Sequence, residues 1–100
     1  MALMHLAIIP LGTSSPSVGE FVAEIQKTLE QSGFSYRLTD MGTTIEGNSR
    51  ELLNFAGRLA EIPFSKGIQR VVTHISLDDR RDKKVALGDK VDAVAARLKK

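Results

Sequence analysis

The chain has 100 residues, the length of one domain with nothing spare for a second core. Hydrophobic residues at 42% and charged residues at 26% sit near globular averages and exclude intrinsic disorder, while a net charge of +2 is too small a surplus to mark a nucleic-acid binder. Zero cysteines remove disulfide scaffolds, zinc ribbons and thiol nucleophiles, and permit the cell interior.

Residues 3–11 (LMHLAIIPL) form an apolar run of strand length, ended by Gly12-Thr13-Ser14-Ser15-Pro16. A run apolar on both sides marks a central strand. With Pro10 inside it the run is too short to span a bilayer, and Met1–Leu11 lacks the basic n-region and cleavage site of a signal peptide. Ser15 before Pro16 reads as a helix N-cap with proline at the first helical position, and Ser17 with Glu20 forms an overlapping capping box. Val18, Val22, Ile25 and Leu29 recur at helical spacing, with Glu24, Lys27 and Glu30 on the wet side and Gly33 as the stop.

Phe34, Tyr36 and Leu38 alternate with Ser35, Arg37 and Thr39 as a half-buried strand. After Asp40-Met41-Gly42 a second alternation, Thr43-Thr44-Ile45-Glu46, ends at Gly47, and the two runs read as a hairpin. Asn48 with Glu51 opens a second helix. Leu52, Phe55, Ala56 and Leu59 form its buried stripe, Leu53 and Ile62 broaden it, and Pro63 closes it. A fourth strand follows Gly67, with Val71, Thr73, Ile75 and Leu77 alternating against Val72, His74, Ser76 and Asp78. Asp79 to Lys84 (DRRDKK) is a solvated charged turn. A terminal amphipathic helix then carries Leu87, Val91, Val94 and Leu98 in register.

The order is β-α-β-β-α-β with an appended helix. Two right-handed crossovers on one four-stranded antiparallel sheet give an α+β, ferredoxin-like βαββαβ sandwich over residues 1–100, with strand order 4-1-3-2 and both main helices on one face. Alternation assigns the uncovered face to His5, Ala7 and Ile9, Ser35 and Arg37, Thr44 and Glu46, and Val72, His74 and Ser76. A one-residue slip in the first strand would exchange its faces.

Glu46 on a central strand needs a partner if water is excluded. Arg37 across the hairpin, plain solvation, or a ligand bearing hydrogen-bond donors would each serve. His5 and His74 are expected to face each other across neighbouring strands, but without a third ligand they do not argue for a metal. Gly12-Thr13-Ser14-Ser15 before a helix offers N–H groups and hydroxyls to an anion, yet it is neither a Walker loop nor a dinucleotide fingerprint. No catalytic constellation is readable. The sheet-stacking aromatics of RNA-recognition modules are missing from strands 1 and 3, so no nucleic-acid partner is expected.

Three stretches carry a family signal: IIPLGTSSPSVGEFVAEI (8–25), YRLTDMGTTIEG (36–47) and RVVTHISLDDRRDKK (70–84). In this order they resemble the small thiamine-binding-protein-like (YkoF-like) family over nearly the whole chain. The blocks Met41 to Gly47 and Pro10 to Thr13 are the most specific. Asp40 before Met41-Gly42, and His5 on the first strand, depart from the family pattern.

The resemblance implies a ferredoxin-like protomer pairing through its sheets into dimers and tetramers. It also implies cytoplasmic, non-catalytic binding of thiamine or its hydroxymethylpyrimidine moiety, with no other cofactor. It places ligand contacts at Thr44, Glu46 and the turn Thr13, Ser14, Ser15. On physical grounds one carboxylate, Glu46, could take two hydrogen bonds from an aminopyrimidine. Thr44 and Ser76 would orient the ring, and His74 shares their face. The alternative from a different class is a small-molecule-sensing or structural oligomerisation module without thiamine specificity.

Overall fold

The computed structural model describes residues 1–12 and 18–99, with the backbone alone for Val18 and Gly19. The elements are β1 (Ala2–Leu11), α1 (Val18–Ser32), β2 (Ser35–Thr39), β3 (Gly42–Gly47), α2 (Ser49–Ser65), β4 (Arg70–Asp79) and α3 (Asp89–Leu98). The four strands form one antiparallel sheet in the order β2-β3-β1-β4, the expected 4-1-3-2 read from the other edge. The expected helix caps at Ser15 and Ser17 lie outside the described residues.

β1 is the strand on which the sheet is built. It pairs with β3 from Ala2↔Gly47 to Leu6↔Thr43, and with β4 from Ala2↔Asp79 to Leu11↔Arg70. Its even residues Ala2, Met4 and Leu6 are buried beneath the helices with Ile45 of β3. Its odd residues His5, Ala7 and Ile9 point to the uncovered face, and the registers carry Thr44, Glu46, Ser76, His74 and Val72 with them. The open face is the one the alternation assigns.

α1 contributes Ile25 and Leu29 to the core and ends where Gly33 takes φ +84°, the left-handed geometry of a C′ glycine. α2 begins at Asn48, whose side-chain oxygen accepts from the backbone N–H of Arg50 at 3.0 Å and of Glu51 at 3.3 Å. Leu52, Phe55, Ala56 and Leu59 are buried as the spacing predicts, and Phe55 packs on Phe34 with ring centroids 5.1 Å apart.

Four expectations are corrected. Pro63 does not close α2, which continues to Ser65. A proline there forfeits one hydrogen bond within the last turn, and the ring is itself buried in the core, while the Lys66 N–H caps the Pro63 and Phe64 carbonyls. Leu53 does not broaden the buried stripe and stands exposed, because it projects about 100° away from Leu52. Val22 of α1 is exposed as well. On β4, Ile75 and Leu77 face the helix side yet remain 43% and 37% exposed, because β4 is an edge strand.

The charged turn is laced locally. Arg80 holds Asp82 at 2.6 Å, and Arg81 holds Asp79 at 2.8 Å. The hydrogen bond from Arg81, seconded by Ser49, keeps the Asp79 carboxyl below its ordinary range.

Leu29→Ala and Leu59→Ala each empty fully buried volume and are expected to cost about 2–5 kcal/mol. Glu30→Ala, exposed on α1, should move stability by less than about 0.5 kcal/mol. Urea unfolding followed by circular dichroism checks all three.

Candidate functional site

The open face is organised in rows across the strands. One row reads Arg37, Thr44, His5, Ser76, and the next reads Ser35, Glu46, Leu3, Asp78. His74 stands opposite Ala7. The expectation that His5 and His74 face each other is therefore corrected: they are diagonal, two residues out of register. His5 leans instead toward β3 and fills the space where Gly42 has no side chain. A Cβ at Gly42 would lie 2.8 Å from the imidazole Cε1 and Nε2. Among the described residues no three His, Cys, Asp or Glu side chains converge on a metal-sized site.

Glu46 is half-buried, and its partner within the chain is not Arg37. Its Oε1 accepts the backbone N–H of Leu87 at 3.2 Å. Among the described residues it forms no ion pair with Arg37, which stands opposite Thr44 one row away. Lys90 at the start of α3 donates to Asp78 Oδ2 at 2.9 Å. The segment leading into α3 is thus tied to β3 at one point and to β4 at another, over this end of the open face. Of the expected ligand contacts, Thr44, Glu46, His74 and Ser76 share that face, while Thr13, Ser14 and Ser15 lie outside the described residues.

A concave, partly open space lies elsewhere. A cavity of about 410 Å³ sits between α1, the second half of β1 and the β2–β3 hairpin. Its wall is mainly aliphatic, and four of its residues (Ile9, Val22, Leu38 and Met41) are large hydrophobics exposed to solvent. Its polar groups are Gln26, Thr39, Asp40 and Thr43. Thr43 is buried, paired with Leu6 on one side and Leu38 on the other, and its Oγ1 accepts from Gln26 Nε2 at 3.3 Å.

Sequence reasoning passed over Gln26. The signal was present: Val22, Ile25, Gln26 and Leu29 complete an i, i+3, i+4, i+7 stripe, and a polar residue at one of its positions is aimed at the sheet.

Comparison with known proteins agrees on one family. A family model described as "Thiamine-binding protein" matches residues 4–95. The UPF0045 protein YqgV of Bacillus subtilis is 44% identical, covering 98% of this chain and 98% of its own. A UPF0045 protein of Methanothermobacter thermautotrophicus is 35% identical, over 98% of this chain and all of its own. Among solved structures, protein MJ1052 of Methanocaldococcus jannaschii superposes with TM-score 0.81 at 26% identity, over 94% of this chain and 95% of that one. A Thermotoga maritima protein described as a candidate in thiamine biosynthesis/salvage shares the fold with TM-score 0.77 at 17% identity, over 93% of this chain and 97% of its own.

Gly42→Ala would set its Cβ 2.6 Å from the Leu6 carbonyl as well as against His5, at a φ of +151°. We expect a loss of about 1–3 kcal/mol. His5→Ala should recover only the imidazole share, and a double-mutant cycle in urea measures the difference.

Proposed function

Because the chain belongs to the thiamine-binding protein family, we propose that it is a non-catalytic, cytoplasmic binder of thiamine or its hydroxymethylpyrimidine moiety, working as a homo-oligomer. The observation that carries the reading is the cavity of about 410 Å³ whose exposed aliphatic rim surrounds the Gln26–Thr43 pair. Its volume is in the range of small-molecule sites, and exposed apolar side chains gathered at one place mark a surface meant to be covered.

The chemistry fits an aminopyrimidine. That ring presents an acceptor nitrogen beside an exocyclic amine, the same edge that adenine offers. A glutamine amide supplies the matching donor and acceptor in one plane. The Gln26–Thr43 bond is long at 3.3 Å, so exchanging it for a ligand contact forfeits little. Asp40, also on the cavity wall, would sit opposite the thiazolium charge of intact thiamine.

The open-face reading keeps one support, the second oxygen of Glu46, which is left over when Oε1 binds Leu87. Titration calorimetry separates the two. Gln26→Leu should weaken thiamine binding about tenfold, the loss of roughly one hydrogen bond worth about 1.4 kcal/mol, and Glu46→Gln should leave it within about threefold. The opposite pattern would move the ligand to the open face. A parent protein that binds no thiamine-related compound at millimolar concentration would hand the function to the sensing or structural alternative.

A further inference from the structure

β1 outruns one of its two neighbours. β3 accompanies it only from Ala2 to Leu6, where Thr43 is the last partner, and on the other side of Gly42 the chain is already the turn from β2. β4 accompanies it over its whole length to Leu11. The second half of β1 is therefore a central strand on one flank and an edge on the other, and among the described residues no strand pairs with that second flank. The cavity between α1 and the hairpin lies in this notch, with Ala7, Ile8 and Ile9 on its wall.

Strand geometry decides which main-chain groups face the notch. A Cβ on Gly42 would lie 2.6 Å from the Leu6 carbonyl oxygen, so the polar groups of Leu6 point toward β3. Successive residues of an antiparallel strand direct their N–H and C=O to alternate flanks, so those of Ala7 and Ile9 go to β4 and those of Ile8 go to the notch. The next residue to face that way is Pro10, which has no N–H to offer. A strand tolerates proline where the missing N–H would have had no ladder partner, so Pro10 supports the same parity independently. Ile8 is left half-buried with a donor and an acceptor side by side, and among the described residues neither has a main-chain partner on that flank. Main-chain groups withdrawn from water in this way are normally paired.

We infer that the Ile8 main chain is the second recognition element of the cavity, its N–H donating to a ring nitrogen of a flat, amino-substituted heterocycle and its C=O accepting from a donor on that ring. The inference rests on the thiamine-binding function proposed above and adds a contact to it. A glutamine amide presents one acceptor and one NH₂ group, whereas an aminopyrimidine carries two ring nitrogens and two amine hydrogens. A ring nitrogen and an amine hydrogen are therefore left over once Gln26 has made its pair, and Ile8 holds the complementary donor and acceptor on the opposite wall. β1 is already fixed by its ladder with β4, so the contact orders no side chain and costs little entropy. The ring takes the place that the next residue of β3 would have held.

Amide hydrogen exchange of the parent protein, read by NMR, tests this. In the free protein the Ile8 amide should exchange at least about tenfold faster than those of Ala7 and Ile9, which the β4 ladder protects. Saturating thiamine, with binding measured in parallel by calorimetry, should slow Ile8 toward the rate of its two neighbours. Hydroxymethylpyrimidine has two analogues in which CH replaces one ring nitrogen. One of them should bind about tenfold weaker and leave the Ile8 amide fast at saturation, while the other keeps it slow. An Ile8 amide as slow as its neighbours in the free protein, or one that stays fast with thiamine bound, would overturn the inference and leave the ligand reading standing. A protein that binds no thiamine-related compound overturns both.

Discussion

The alternation along β1 is the constraint on which the rest depends. Because this strand is paired on both sides, the parity of one residue sets the parity of the whole sheet. Placing Met4 and Leu6 beneath the helices obliges Ile45 to follow them, and obliges His5, Thr44, Glu46 and Ser76 to the other face. A slip by one residue would bury an imidazole where Met4 now sits and expose side chains whose burial is worth about 1.5–3 kcal/mol each. No local preference in β2 or β4 could offset that. The register is fixed in the centre and transmitted to the edges.

This explains which parts of the molecule were legible in the residues. Strand identity, sheet order and open face follow from alternation, and the start of α2 follows from Asn48, since each is decided by neighbours in sequence. What could not be read depends on groups brought together only by folding. Glu46 meets a backbone N–H 41 residues away, and a main-chain donor leaves no mark in the sequence. Leu53 and Val22 look like core by type, yet the space beside them is a helix flank in one case and a cavity wall in the other. Pro63 looked like a terminator because its local penalty is visible, whereas the burial that compensates it is not.

The exposed large hydrophobics are not scattered evenly over the fold. Apart from Met1 they fall into three groups: Ile9, Val22, Leu38 and Met41 at the cavity, Leu53, Phe64, Ile75 and Leu77 on α2 and β4, and Val91, Val94 and Leu98 on α3. Scattered apolar residues need no explanation, but groups on three separate structural features do. The radius of gyration of 15.2 Å, against about 13 Å for a compact chain of this length, reflects the same condition. No residue of α3 is buried, so the helix adds length without adding core.

A ten-residue helix with no buried side chain has little reason to persist on propensity alone. What holds it in place is its beginning, where Leu87 binds Glu46 of β3 and Lys90 binds Asp78 of β4. Both anchors are open-face residues whose direction β1 dictates, so the helix takes its position from the parity of the sheet. Asp78 has a second part in this arrangement, because it stands near the end of the exposed edge strand as well as beneath α3. Its carboxylate links the helix that buries no side chain to the longer of the two edge strands. A change of charge at Asp78 therefore acts on the placement of α3, through a single side chain that shares its face of the sheet with Leu3 opposite it in the ladder.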